Sequence, residues 1–147
     1  MPRPDRPRVL LLWPGGLFAG GANFGVPQML LLAAAIRRAT DAQVDVVDLD
    51  MERAFGRVDL ARIVEGGYDL VGISCYSSYD YLKVMAIAER IRELLPRAWL
   101  VSGGYHASAR PDELAFDGSP FDFVVVGDGE RPLARLAEAL AAGKRPL

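Results

Sequence analysis

Five short, mostly apolar runs, each followed by a turn and then a helical stretch, leave this chain few ways to fold. The runs are residues 9–13, 44–49, 70–75, 98–102 and 121–126. Short strands of this kind are buried on both faces, as in parallel sheets. Between them, Pro27 can open a helix that continues through Leu30, Ala34 and Arg38. A short helix over 60–64 ends at Gly66 and Gly67. The spacing of Leu82, Met85, Ile87, Ile91, Leu94 and Leu95 predicts a helix over 81–95, closed by Pro96. Pro111 opens a short helix over 111–116, and Leu133, Leu136 and Leu140 mark the last, over 130–142. Right-handed crossovers then require a parallel sheet with helices on both faces. The expected class is α/β: a flavodoxin-like, doubly wound, five-stranded sheet of order 2-1-3-4-5, with its switch point between strands one and three.

The 147 residues suffice for one domain with a hydrophobic core that needs neither disulfide nor structural metal. A formal charge of −2, without a Lys/Arg stripe, speaks against a nucleic-acid partner. One cysteine and one histidine exclude a disulfide framework and a zinc or iron–sulfur cluster held by this chain alone. The cysteine usage suits a reducing cytoplasm. No apolar run approaches the ~20 residues of a membrane span. Residues 1–8 hold three prolines and three arginines and read as a disordered arm. The domain is expected over 9–142, with 143–147 a tail or the start of a linker.

In sheets of this kind ligands sit just past the strand ends. Strand one exits into Trp13, Pro14, Gly15 and Gly16 and a Gly-rich loop running to Gly25. Strand three exits into Ser74, Cys75, Tyr76, Ser77 and Ser78, and strand four into Gly103, Gly104, Tyr105 and His106. Strand five exits into Gly127, Asp128, Gly129 and Glu130. Two adjacent glycines at a strand exit permit unusual backbone angles and close approach of a ligand. Small residues, hydroxyls and aromatics together suit a large planar or amide-rich ligand. Commoner readings fail: the first loop does not match G-x-G-x-x-G, and there is no G-x-x-x-x-G-K-[ST]. A receiver domain would end strand three in aspartate, where Cys75 stands. The hydroxyl-rich phosphate turn of flavodoxins is missing after strand one.

The layout resembles the cobalamin-binding domain of cobalamin-dependent radical S-adenosylmethionine enzymes. The residues that carry the resemblance are Val9-Leu-Leu-Leu-Trp-Pro14, the helix entry from Gly25 to Ala35, Val71-Gly-Ile-Ser-Cys75, Gly103-Gly-Tyr-His-Ala107 with Pro111-Asp-Glu113, and Val126-Gly-Asp-Gly-Glu130. It spans the chain from Val9 to about Leu140. The resemblance implies a corrin ring over the C-terminal edge of the sheet and a nucleotide tail in a slot beside it. Gly103 and Gly104 would line that slot where a β-carbon would collide, and Ser74 would offer a hydroxyl to the tail. Tyr76, Ser77 and Ser78 would touch the ring or its amides, and Gly127 to Glu130 would close the far side. The D-x-H-x-x-G of methionine-synthase-like domains, whose histidine ligates cobalt, is missing from the first loop. Cobalamin bound base-off, with no protein histidine on cobalt, is therefore implied. A radical S-adenosylmethionine catalytic domain, in cis or in trans, would supply the iron–sulfur cluster and S-adenosylmethionine for methyl transfer or related chemistry. No catalysis is expected from this chain by itself.

Plainer roles stand beside these. Trp13 is as well suited to the edge of the core as to a corrin floor. Cys75 reads as a small buried hydrophobe rather than a nucleophile. His106 reads as an amide contact or a support of the Pro111 region rather than a metal ligand. Acids at a helix start, such as Asp128 and Glu130, usually complement the dipole. The rival from another class is a cofactor-free flavodoxin-like domain that docks a protein through the Trp13 loop and the tyrosines.

Overall fold

A computed structural model describes residues 6–15, 26–56 and 58–144. Its strands are β1 (Arg8–Trp13), β2 (Gln43–Asp48), β3 (Leu70–Ser74), β4 (Trp99–Gly103) and β5 (Phe123–Val124). Its helices are α1 (Val26–Ala39), α2 (Leu49–Ala54), α3 (Leu60–Ile63), α4 (Tyr81–Leu94), α5 (Tyr105–Ala109) and α6 (Glu130–Ala141). The sheet is wholly parallel with the order β2-β1-β3-β4-β5. The expected flavodoxin-like topology is therefore present, with β1 and β3 adjacent at its centre.

Pleating sorts the strand residues onto two faces. Val9, Leu11 and Trp13 pack with Met29, Ala33 and Ile36 of α1 and Leu133, Leu136, Ala137 and Leu140 of α6. Leu10, Leu12, Val71, Ile73 and Leu100 face Val84, Ala88 and Ile91 of α4, with Leu49, Ala107 and Leu114 beside them. All three core residues of β1 on the α1/α6 face and both on the other are at most 5% exposed. That double burial is why β1 shows no alternation of polar and apolar residues.

Several boundaries differ from the sequence expectation, each for a local reason. Arg8 already belongs to β1, and Arg6 Nε donates to the Asp41 carbonyl at 2.6 Å, so chain expected in the disordered arm is hydrogen-bonded to the fold. Leu49, expected at the end of a strand, starts α2 instead, because the Asp48 carboxylate accepts the Asp50 amide at 2.9 Å and caps a helix there. The helix after β4 starts at Tyr105, not Pro111: Gly104, with φ 112° and ψ −179°, turns the chain at once. Pro111–Glu113 is a single 3₁₀ turn. In α4 the buried stripe is Val84, Met85, Ile87, Ala88 and Ile91, while Leu82 stands 79% exposed.

The edge strand β5 is short, and a side chain from α4 reinforces it. Arg92 Nη2 donates to Asp122 Oδ2 at 2.6 Å and to the Pro120 carbonyl at 2.9 Å. The same Asp122 oxygen accepts the Leu100 amide of β4 at 2.9 Å. Hydrogen bonds to charged groups of this kind contribute about 1.5–3 kcal/mol each. Arg92→Leu should therefore lower unfolding stability by about 2 kcal/mol, read by urea denaturation. Native-state hydrogen exchange should show the Val125 amide, bonded to the Ser102 carbonyl at 2.8 Å, losing more protection than the amides of β1.

Candidate functional site

The register of the ladders builds the site in two rows across the α1/α6 face. Leu12 pairs with Ile73, Ser74 with Gly103, and Ser102 with Val124. One pleat row on this face therefore reads Trp13, Ser74, Gly103, Val125, at the strand exits. The row beneath it reads Leu11, Gly72, Val101, Phe123. Between the bulky ends of the upper row stand a serine and a glycine, and below the serine stands Gly72. The small residues at Ser74 and Gly103 leave space that larger side chains would fill, and at Gly72 the Leu11 side chain lies where a Cβ would stand.

A cavity of about 420 Å³ occupies that space, between the sheet and the first turns of α1 and α6. Leu11, Gly72, Ser74, Val101, Gly103 and Val125 line it from the sheet. Met29, Leu32 and Leu133 line it from the helices, and Gln28, Tyr105, Ser108, Asp128 and Glu130 also border it. Ser108 Oγ accepts the Gly127 amide at 3.0 Å and so ties the end of α5 to the β5–α6 turn. Among the described residues the Ser74 side chain forms no hydrogen bond.

The two adjacent glycines differ in role. A Cβ on Gly104 would lie 2.6 Å from the Cys75 carbonyl oxygen, and its φ of +112° is one that side chains rarely adopt. The protein's own backbone thus demands that glycine. A Cβ on Gly103 would meet only Val125, at 3.7 Å, an ordinary contact. The fold has room for alanine there; the missing side chain widens the cavity. At Gly72 a Cβ would press the Leu11 Cδ2 methyl at 2.9 Å.

Of the residues expected at the strand exits, Ser74, Gly103, Gly104, Tyr105, Gly127, Gly129 and Glu130 line the cavity. Trp13 lies at the end of the upper row, 5% exposed and 6.0 Å from the Tyr76 ring, and its indole N–H has no hydrogen-bond partner among the described residues. Tyr76 in turn stands 5.0 Å from Tyr105, so three aromatic rings run along the sheet edge. Pro14 is buried beside them, and Gly16 lies outside the described residues. Ser77 is committed elsewhere: its hydroxyl donates to the buried Asp80 carboxylate at 3.0 Å. Asp80 also pairs with Lys83 at 3.0 Å, and Lys83 reaches the Gly15 carbonyl. Ser78 is exposed.

Cys75 and His106 are not among the cavity's lining residues. Cys75 belongs to the cluster on the α4 face and is wholly buried. Burial, helped by the carboxylates of Asp80 and Glu113, pushes its thiol up to about 12. Such a thiol carries almost no thiolate at neutral pH. His106, 9% exposed, pairs through Nε2 with Glu113 Oε2 at 2.8 Å and lies against Tyr81, whose hydroxyl donates to the Glu113 carbonyl at 3.0 Å. It supports the Pro111 region. Gly72 was the main residue missed among the expected site positions; its signal was the i, i+2 pair Gly72/Ser74 opposite a second small residue, Gly103. Among the described residues no cluster of His, Cys, Asp or Glu could hold a metal ion. No described helix is long and apolar enough to cross a membrane.

The family model of the B12 binding domain matches residues 23–137. The chain belongs to the B12 binding domain family. No curated protein matches the sequence. Among solved structures, the domain is similar to the cobalamin-dependent S-adenosylmethionine radical enzyme OxsB with aqua-cobalamin and S-adenosylmethionine bound (TM-score 0.68, 15% identity). That match covers 96% of this chain but 20% of the enzyme. It is also similar to a putative pilus assembly protein (cpaE) from Burkholderia thailandensis, at TM-score 0.59 and 16% identity, over 94% of this chain and 99% of the other. A putative lipoprotein from Peptoclostridium difficile gives TM-score 0.53 at 13% identity, covering 93% and 98%. At these identities the structural likenesses establish the fold, and the family match identifies it as a B12 binding domain.

Two measurements check this geometry. Gly104→Ala should cost about 3 kcal/mol of stability, from the strained φ and the carbonyl clash, whereas Gly103→Ala should cost under about 1 kcal/mol. In the folded protein the Cys75 thiol should resist a thiol-reactive dye at pH 8 and react fully in denaturant.

Proposed function

We propose that this domain binds cobalamin base-off, with the nucleotide tail in the slot between the sheet and α1/α6 and the corrin over the strand exits. The observation that carries the reading is Gly103. The fold itself could hold an alanine there, so the open space is explained by a ligand and not by packing. Gly72 and Ser74 extend the same opening inward, and the apolar side chains of Leu11, Val101, Met29 and Leu133 suit the faces of a flat ring.

Each residue of the site then has a task. Ser74 offers its free hydroxyl to the tail, and Gln28 and Glu130 stand where ribose or amide groups would pass. Tyr76 and Tyr105 give the ring an aromatic border, with Trp13 packed behind Tyr76. The chain's one histidine is held by Glu113 outside the cavity, which supports a cobalt without a histidine ligand from this chain. Bound cobalamin supplies cobalt-centred methyl-transfer or radical chemistry, while the protein governs its ligation and its access to solvent. The iron–sulfur cluster and S-adenosylmethionine would belong to a radical S-adenosylmethionine catalytic domain in cis or in trans, since one cysteine cannot hold such a cluster.

Titration with hydroxocobalamin should give one equivalent bound, a base-off absorption spectrum and a raised Tm. Gly103→Val, which fills the slot, should weaken binding at least about tenfold while the protein stays folded. Absence of any spectral change and of thermal stabilisation in the unaltered protein would overturn the reading and favour the cofactor-free docking domain.

A further inference from the structure

We infer that the slot selects among corrinoid tails by their base, taking an apolar benzimidazole and rejecting a purine that carries an exocyclic amine. This rests on the cobalamin reading above and concerns the inner part of the slot. The row formed by Leu11, Gly72 and Val101 is its floor, and it presents only carbon from its side chains. The backbone groups of that row are spent within the ladders, because all three residues lie inside strands paired in continuous parallel register. Met29 and Leu133 close the roof with apolar atoms.

The charged and amide groups that border the cavity are at its mouth. Helices that return across a parallel sheet run against the strands, so the first turns of α1 and α6, with Gln28 and Glu130, stand at the exit edge. Ser108, whose hydroxyl accepts the Gly127 amide, follows the end of β4 and stands at the same exit edge. What remains beside the inner row is one hydroxyl, on Ser74. It can satisfy one ring nitrogen of a benzimidazole, whose remaining edge is hydrocarbon. A purine brings an amine and further ring nitrogens, which a single hydroxyl cannot satisfy together. A polar group buried without a partner loses its hydration with no return, a penalty large enough to cost at least tenfold in affinity.

The test compares three probes on the intact domain by absorbance titration: hydroxocobalamin, its analogue with adenine as the tail base, and cobinamide, which has no tail. The expected order is cobalamin tightest, the adenine analogue at least tenfold weaker, and cobinamide weak. Val101→Thr, which adds a hydroxyl to the floor at nearly constant volume, should narrow the ratio between the first two at least threefold. If that variant does not fold, the ratio in the unaltered protein decides. A ratio below tenfold overturns the inference while leaving cobalamin binding intact. Cobinamide binding as tightly as cobalamin overturns it too, since the tail then adds nothing. If none of the three binds, the cobalamin reading itself fails and takes this inference with it.

Discussion

Two backbone hydrogen bonds at the strand exits hold the site together. The Cys75 amide donates to the Gly103 carbonyl at 2.7 Å, and the His106 amide donates to the Cys75 carbonyl at 3.2 Å. They pin the ends of β3 and β4 to each other while the chain reverses at Gly104 into α5. The reversal brings the Gly104 backbone so near the Cys75 carbonyl that no side chain fits between them. Because the exits are fixed in this way, Ser74 and Gly103 stay side by side and the space above them keeps its shape. The His106–Glu113 pair braces the same turn from the α4 face, joining α5 to the 3₁₀ turn that follows.

The fold was legible in the sequence because its signals are local and repeated. Each apolar run is bounded by residues that break a strand, and a parallel sheet leaves few ways to connect them. The misreadings come from places where one residue decides a boundary. Asp48 caps a helix and so ends β2 a residue early, and Gly104 lets α5 start at once. Neither effect shows up in hydrophobic periodicity. The site was legible only in part for a related reason. Which residues follow a strand is written in the chain, but which face they take depends on counting pleats from a register known only after folding. Ser74 and Cys75 are neighbours in sequence and stand on opposite faces of the sheet. Gly72, two residues before Ser74, shares its face and went unassigned as a site residue.

The two faces carry different burdens. The α4 face is filled by branched and aliphatic side chains almost without interruption. It also holds the buried thiol and the paired histidine, groups that look chemical in sequence and serve packing in the fold. The α1/α6 face gives up packing at Ser74 and Gly103, while Leu11 packs over Gly72. A sheet with one intact face can tolerate that loss on the other. The likeness to a pilus assembly protein over nearly the whole chain shows how freely this architecture is shared, so the residues at the opening, and not the topology, must separate one use from another.

The pleat also sets how deep the opening can be. Side chains return to the same face every second residue, so depth along a strand comes in steps of about 6.6 Å. The rows at the exits and just beneath them are opened by small residues. The next row inward is Val9, Leu70 and Trp99, all buried, with the Trp99 ring lodged edge-on against Phe123 at 5.5 Å. None of these three lines the cavity. The opening descends two rungs of the sheet and ends above a closed row, so deepening it would take the replacement of buried core side chains, not the adjustment of a loop.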